Sequence, residues 1–324
     1  MEETLTQAVK GFIGQACRLA VEEVNLENSL GRWVAEEVRA RFPWPPFHRS
    51  LRDGFALNHR AASSASPERP VRLPIAATVP AGSTCLHEID LGSVVRIYTG
   101  ALLPPGTNAV IPCEEVEVDG ETVVISRPVQ PGQYIRRKGT VVEAGEVVVS
   151  PGTRITPAEI ELLATNGLAS IKVYQRPLVS ILPVGSELVE PGEELALGRI
   201  YASNGYTIAA WTQKWGGSPR RLACIPDDLE LIIERVRSLL PVSDVIVTTG
   251  GTSKGDFDFA PRVLEELAAT RVVRLLSKTA GGPFVGGFVG SCPVLCLSGS
   301  PKAAVRSAKL FLKPLLAKMQ GADS

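Results

Sequence analysis

The stretch Val245-Ile246-Val247-Thr248-Thr249-Gly250-Gly251-Thr252-Ser253-Lys254-Gly255-Asp256 decides the fold. Its β-branched run reads as a strand buried on both faces, and the paired glycines end it in a loop of small polar residues. Two more runs share the form. Leu178 to Leu182 leads into Pro183-Val184-Gly185-Ser186-Glu187, and Val294 to Leu297 leads into Ser298-Gly299-Ser300-Pro301. Helical patterns alternate with them: Asn204 to Lys214, closed by Gly216-Gly217; Asp228 to Leu240, entered through Pro226-Asp227; Phe259 to Ala269; and Pro301 to about Lys318. Apolar strands alternating with helices predict an α/β fold with a parallel-rich sheet covered on both faces.

Ligands of such sheets bind beyond the carboxyl ends of the strands. Three strands here end in small, Gly-containing loops, whose exposed N–H groups and neighbouring helix N-termini suit a phosphate. Each loop also has a purely structural reading. Glycine after a strand is ordinary turn chemistry, Ser300-Pro301 reads as a cap followed by a first-turn proline, Asp256 and Asp258 could cap a turn, and Glu187 could be a surface carboxylate. Neither the Walker A motif nor the dinucleotide fingerprint is present.

Upstream the texture changes. Leu5, Val9, Phe12 and Ile13 fall at helical spacing, and a second helical pattern runs from Ser29 to about Arg41. The proline-rich run from Phe42 to Phe47 then breaks it. From there to Lys138, short β-branched runs separated by Pro and Gly turns predict a small β-rich domain, with Asp119-Gly120 as a hairpin signal. Segment 61–70 reads as a mobile polar loop. Thr156-Pro157-Ala158-Glu159 resembles a helix start with a capping box, and Gly167 can end that helix.

With 324 residues, the chain is expected to hold two or three domains. Lys plus Arg and Asp plus Glu both number 34, and no basic block stands out, so nucleic acid is not expected as a partner. No run reaches the roughly 18 apolar residues of a membrane span, and Met1-Glu2-Glu3-Thr4 lacks the form of a signal peptide. The six cysteines are scattered, which predicts reduced, mostly buried thiols in a cytoplasmic protein without a zinc site.

The motifs together resemble the molybdopterin molybdenumtransferase family, which includes the C-terminal part of gephyrin. GGTSKGDFDF at 250–259 resembles its GGxSxGDxDx signature. Ser50-Leu51-Arg52-Asp53-Gly54-Phe55-Ala56 resembles SAMDGYA, and 96–104 resembles RIMTGAPLP. Ile181 to Val189 resembles ILSTGDELV, and Gly198 to Asn204 resembles GxIxDSN. The match runs in order over nearly the whole chain.

The resemblance implies a three-layer α/β molybdopterin-binding domain at 176–324, a β-rich inserted domain at 44–138, and a small α+β linker domain from 1–43 and 139–175. The family's last β domain is expected to be absent. The resemblance also implies a homodimer whose clefts lie between the α/β domain of one subunit and the β-rich domain of the other. Its implied chemistry is hydrolysis of adenylylated molybdopterin with insertion of molybdate at the dithiolene, with magnesium as the expected cation. Gly250, Gly251, Thr252, Ser253, Gly299, Ser300 and Pro301 would bind phosphate and pterin. Glu187, Asp227, Asp228 and Asp256 would handle pyrophosphate and cation, with Glu187 and Asp256 as metal ligands. Asp53 and Thr99 would join Glu187 and Asp256 in catalysis, and Lys278 and Arg52 would bind ligand.

The sequence also departs from the family. His48 and Arg49 stand for Asp-Asn, and Arg52 for Met. Gly139-Thr140-Val141 stands for Gly-Glu-Asp. Val184 and Ser186 replace Thr and Asp. Thr279-Ala280-Gly281-Gly282-Pro283 stands for KPGKP, so both lysines are gone and Lys278 lies one position out of register. Two expectations follow: an insertase with altered ligands, or a carrier, sensor or scaffold that binds molybdopterin without efficient insertion. The losses favour weak insertion, and the retained Glu187, Asp256, Asp53 and Thr99 favour residual catalysis.

Overall fold

The computed structural model describes residues 5–84, 87–251, 259–275 and 284–322. They fall into two compact units: 1–37, 149–161 and 168–324 in one, 38–148 and 162–167 in the other.

The first unit is built on a six-stranded sheet. From edge to edge its strands are Ser218–Arg221, Leu178–Pro183, Val245–Thr249, Cys292–Leu297, Phe284–Val289 and Thr270–Leu275. The first four are mutually parallel and the last two pairings are antiparallel. Side chains alternate with the pleat. Val179, Ile181, Val247 and Leu295 pack with Ile208, Ala304 and Phe311 from the helices of one face. Leu182, Ile246, Val294 and Cys296 pack with Ile232, Val236 and Val263 from the helices of the other. This is a three-layer α/β arrangement. Each such aliphatic side chain, fully buried, contributes about 1.5–3 kcal/mol before the entropy of ordering is subtracted.

The helices follow the sequence pattern closely: Ser203–Lys214, Leu229–Leu239, Ala260–Glu266, and a helical stretch from Pro301–Ser307 through a π-turn at Ala308–Leu312 to Lys313–Met319. Strands Thr270–Leu275 and Phe284–Val289 escaped the sequence reading. Gly286 and Gly287 weaken the strand signal of the second, and residues 276–283 between them lie outside the described residues. The helix Leu5–Ile13 lays the Phe12 ring 4.9 Å from that of Phe288 and 5.7 Å from that of Phe311.

The helical pattern read from Ser29 to Arg41 does not form. Val21–Asn25 pairs antiparallel with Ser170–Tyr174. The Val34 N–H donates to the Thr153 carbonyl at 2.9 Å, and Tyr174 N–H to the Trp33 carbonyl at 3.0 Å. Backbone partners far along the chain override a short helical period, and β-branched residues at 21, 24 and 34 suit the extended form. The capping box does form: the Thr156 N–H donates to Glu159 Oε2 at 2.8 Å, and the helix Pro157–Thr165 follows.

The second unit carries another six-stranded sheet, ordered Ala109–Pro112, Gly54–Leu57, Val94–Ile97, Val71–Val79, Thr122–Ile125, Glu117–Asp119. All its pairings are antiparallel except Val71–Val79 with Val94–Ile97. Phe55 and Leu57 enter one core cluster and Ala56 the other. The hairpin sits one residue later than Asp119-Gly120 suggested, because Asp119 and Thr122 are paired and Gly120-Glu121 turn. Segment 61–70 is anchored rather than loose at its start, since Ala62 and Ala65 are buried in the first cluster.

Among the described residues no helix is long and apolar enough to cross a membrane. The described cysteines form no disulfide, but among them only Cys292 and Cys296 are buried, while Cys17 and Cys113 are exposed. The expectation of mostly buried thiols therefore holds only for the pair on the central sheet, where burial pushes the Cys292 thiol up to about 12.

Candidate functional site

In the first unit the three loops meet beyond the carboxyl ends of neighbouring strands. The Gly250 N–H donates to the Leu297 carbonyl at 3.0 Å, and the Val184 N–H to Thr249 at 2.9 Å. These bonds join the loops after strands Leu178–Pro183, Val245–Thr249 and Cys292–Leu297 into one floor. Gly250 has φ +100°, and a Cβ there would stand 2.1 Å from the Val184 carbonyl oxygen, so no other residue fits without moving backbone. Gly251 has φ +64°, and its carbonyl accepts from Phe259 N–H at 3.0 Å and Ala260 N–H at 3.2 Å. Gly251 and Phe259, which flank residues 252–258 in the sequence, are thereby held together. Thr252, Ser253 and Asp256, at 252–258, and Lys278, at 276–283, lie outside the described residues.

The third loop is tied to a neighbouring helix. The Asn204 amide, in the first turn of Ser203–Lys214, donates to the Gly299 carbonyl at 2.7 Å. Ser300 N–H turns back to Ser298 Oγ at 3.2 Å, and Pro301 opens the next helix with no side-chain cap. The Ser300 hydroxyl is therefore not consumed by capping.

The carboxylates divide by task. Asp228 caps Leu229–Leu239, accepting from Leu231 N–H at 3.0 Å, which is a structural duty. Asp227 accepts from Ser186 N–H at 2.8 Å while its own N–H donates to Ser186 Oγ at 2.9 Å. This reciprocal pair fixes the turn that bears Glu187. The Glu187 carboxylate folds over Gly185, where a Cβ would come within 2.6 Å of Oε2, and the side chain is exposed. Arg199 holds the same turn through the Ser186 carbonyl, a contact the sequence reading did not single out. Among the described residues no group of three or more His, Cys, Asp or Glu side chains is placed to hold a metal ion.

The second unit brings Asp53, Thr99 and Arg52 to one edge. Asp53 Oδ1 accepts from both the hydroxyl and the N–H of Thr99, each at 2.7 Å. The Thr99 hydroxyl first, and its N–H second, hold the Asp53 carboxyl below its ordinary value. Arg52 lies over the Tyr134 ring, 5.9 Å from the centroid. Cys113 and Glu114 adjoin this edge, with the thiol donating to Glu114 Oε2 at 3.3 Å. Glu114 is held low by its own backbone N–H, by that thiol and, more weakly, by the Arg52 charge. Glu114, which follows the buried strand Ala109–Pro112, is not among the residues singled out from the sequence. Thr99→Val is expected to move the Asp53 pKa up toward the ordinary carboxylate range. Carboxylate titration by NMR checks this, and an unchanged midpoint would show that the hydroxyl does not hold the charge.

A three-layer α/β unit with glycine loops at its strand ends, in a chain that also carries a β-rich unit, is the make-up of a pterin-binding class. Residues 3–167 match the family model described as MoeA N-terminal region (domain I and II), and residues 180–318 match a probable molybdopterin binding domain. A molybdopterin molybdenumtransferase of Staphylococcus epidermidis is 32% identical over 99% of this chain and 77% of its own length. One from Bacillus subtilis is 35% identical over 91% of this chain and 70% of its own. The crystal structure of the MoeA molybdopterin biosynthesis protein of Pyrococcus horikoshii superposes with a TM-score of 0.83 at 31% identity, covering 99% of this chain and 80% of that one. The chain belongs to the MoeA family of molybdopterin molybdenumtransferases, a family of molybdenum cofactor biosynthesis.

Proposed function

We propose that this chain binds adenylylated molybdopterin and inserts molybdate at its dithiolene. The observation that carries the reading is the single floor made from three strand-end loops, locked by the Gly250–Leu297, Val184–Thr249 and Asn204–Gly299 hydrogen bonds. Small residues there leave backbone N–H groups and the Ser300 hydroxyl open to a phosphate. Gly250, Gly251, Thr252, Ser253, Gly299 and Ser300 take the pterin phosphate in this reading. Glu187 and Asp256 hold magnesium, with Asp227 positioning the Glu187 turn. The described donors at that mouth, Glu187 and Asp227, offer oxygen only, which is the donor type magnesium takes. Bound magnesium would offset the pyrophosphate charge.

The replacements at Thr140, Val141, Ser186, Thr279 and Gly282 are read as lowering the insertion rate, not abolishing binding. The domain division remains that of 1–43 with 139–175, 44–138 and 176–324, in a cytoplasmic homodimer where Asp53, Thr99 and Arg52 serve the site of the second copy. Purified chain given adenylylated molybdopterin should release AMP, and more of it when molybdate is present. Absence of both release and binding would refute the function. Sedimentation as a monomer at micromolar concentration would instead remove only the homodimer.

A further inference from the structure

We propose that the outer face of helices Ser203–Lys214 and 301–319 docks an acidic helical segment of another protein. Read linearly, the sequence showed no basic stripe. The helix assembles one: Lys302, Arg306, Lys309 and Lys313 recur at intervals of four, three and four, and all are exposed. Eleven residues of helix separate the first from the last, about 17 Å at 1.5 Å per residue. Lys214 joins from the neighbouring helix. Neither 203–214 nor 301–319 contains an Asp or Glu. Among the described residues none of the five cations has a carboxylate partner.

The centre of the face is aromatic. The Lys309 ammonium lies 4.7 Å and that of Lys214 5.1 Å from the half-buried Trp211 ring centroid, and Trp215, itself packed against the core, backs Trp211 with centroids 5.1 Å apart. The other sides of both helices are committed to the core through Ile208, Ala304, Ala308 and Phe311. An aromatic centre with a charged rim is the anatomy of a protein interface, and tryptophan is the residue type most often dominant there. Five like charges within one or two Debye lengths of one another repel, about 8 Å each in physiological salt. A partner bringing carboxylates at helical spacing removes that repulsion and is steered in by it.

Nucleic acid fits less well. Four of the five cations are lysines rather than the forked arginine, and Trp211 is already flanked by two ammonium groups instead of lying open for base stacking. An anionic bilayer fits less well because the large apolar residues Phe311 and Leu312 point into the core rather than outward.

The probe is a synthetic amphipathic helical peptide of about 16 residues, some 24 Å long, with Glu at i, i+3, i+4 and i+7 and Leu on the adjoining stripe. The 324-residue chain is titrated with the labelled peptide by fluorescence anisotropy at about 50 mM and about 150 mM salt. Saturable binding is expected. It should weaken at least roughly tenfold, about 1.4 kcal/mol, in the double variant Arg306→Glu with Lys309→Glu. It should be unchanged by Arg60→Glu with Arg69→Glu on the other unit, and lost when the peptide carries Gln for Glu. Equal circular dichroism spectra and melting temperatures show that the variants are folded. No saturable binding, or binding indifferent to the Arg306–Lys309 change, overturns the proposal. So does tighter binding at this face of a duplex DNA 20-mer or of phosphatidylglycerol vesicles.

Discussion

Gly250→Ala is expected to disrupt the floor of the site and the α/β unit around it, whereas Gly251→Val should spare the fold and damage binding. At Gly250 two constraints coincide: φ is +100°, and the missing Cβ would lie 2.1 Å from the Val184 carbonyl oxygen. The atom in the way is backbone, so relief requires the Gly250 and Val184 segments to part, which strains the hydrogen bond from Val184 N–H to the Thr249 carbonyl. Strain at such a φ costs about 1–3 kcal/mol, and the lost packing adds to it. At Gly251 the nearest atoms to a new Cβ, on Phe259 and Val184, are 3.9 Å away, so space is available. What remains is the strain of φ +64° and a side chain at the edge of the proposed phosphate site. Molybdopterin affinity should fall at least roughly tenfold, about 1.4 kcal/mol. Urea unfolding and calorimetric titration with molybdopterin separate the two effects. If Gly250→Ala were as stable as the parent, or folded Gly251→Val bound molybdopterin equally well, the glycine floor would not be the phosphate grip.

The parallel half of the sheet was legible because each of its central strands is buried on both faces and so written in unbroken apolar runs. Val245–Thr249 and Leu178–Pro183 show this plainly. The antiparallel end was not legible: Thr270–Leu275 is largely exposed and alternates weakly, and Phe284–Val289 contains two glycines. The segment around Ser29 misled because its hydrophobic spacing is compatible with a helix, while its backbone partners, Thr153 and Lys172, lie more than a hundred residues away. The site was partly legible for the same reason as the sheet. Glycines after buried strands mark places where backbone must turn and stay open, as the conformations of Gly250 and Gly251 show. The tasks of the carboxylates were not legible, because Asp227 and Asp228 are adjacent in sequence yet one braces the Ser186 turn and the other caps a helix. Only the fold separates those duties.

Molybdate-dependent loading of the pterin by this chain is expected to be slow, and Arg52→Ala is expected to lower it at least roughly tenfold further. Molybdate is a dianion, and drawing it from water into a site requires positive charge already in place. The family provides two lysines in KPGKP, and here Thr279 and Gly282 stand at those positions, with Lys278 one position away. Arg49 and Arg52 are the cations gained instead, in the segment that resembles SAMDGYA and its flank. Their guanidinium groups lie over Trp44 at 5.7 Å and Tyr134 at 5.9 Å, contacts that leave the charges unneutralised. Arg52 also stands next to Asp53, whose carboxylate is held anionic by Thr99, so the edge presents a cation and an anion side by side. Such a pair could seat an oxyanion while keeping a base nearby. The measurement is molybdate-dependent formation of metal-loaded pterin by the parent protein, by Arg52→Ala and by Arg52→Lys, with adenylate release followed in parallel. Loss of loading in Arg52→Ala with adenylate release preserved, and partial recovery in Arg52→Lys, would assign the lysines' task to Arg52. Fast loading by the parent, with no effect of Arg52→Ala, would show that the missing lysines are replaced from elsewhere.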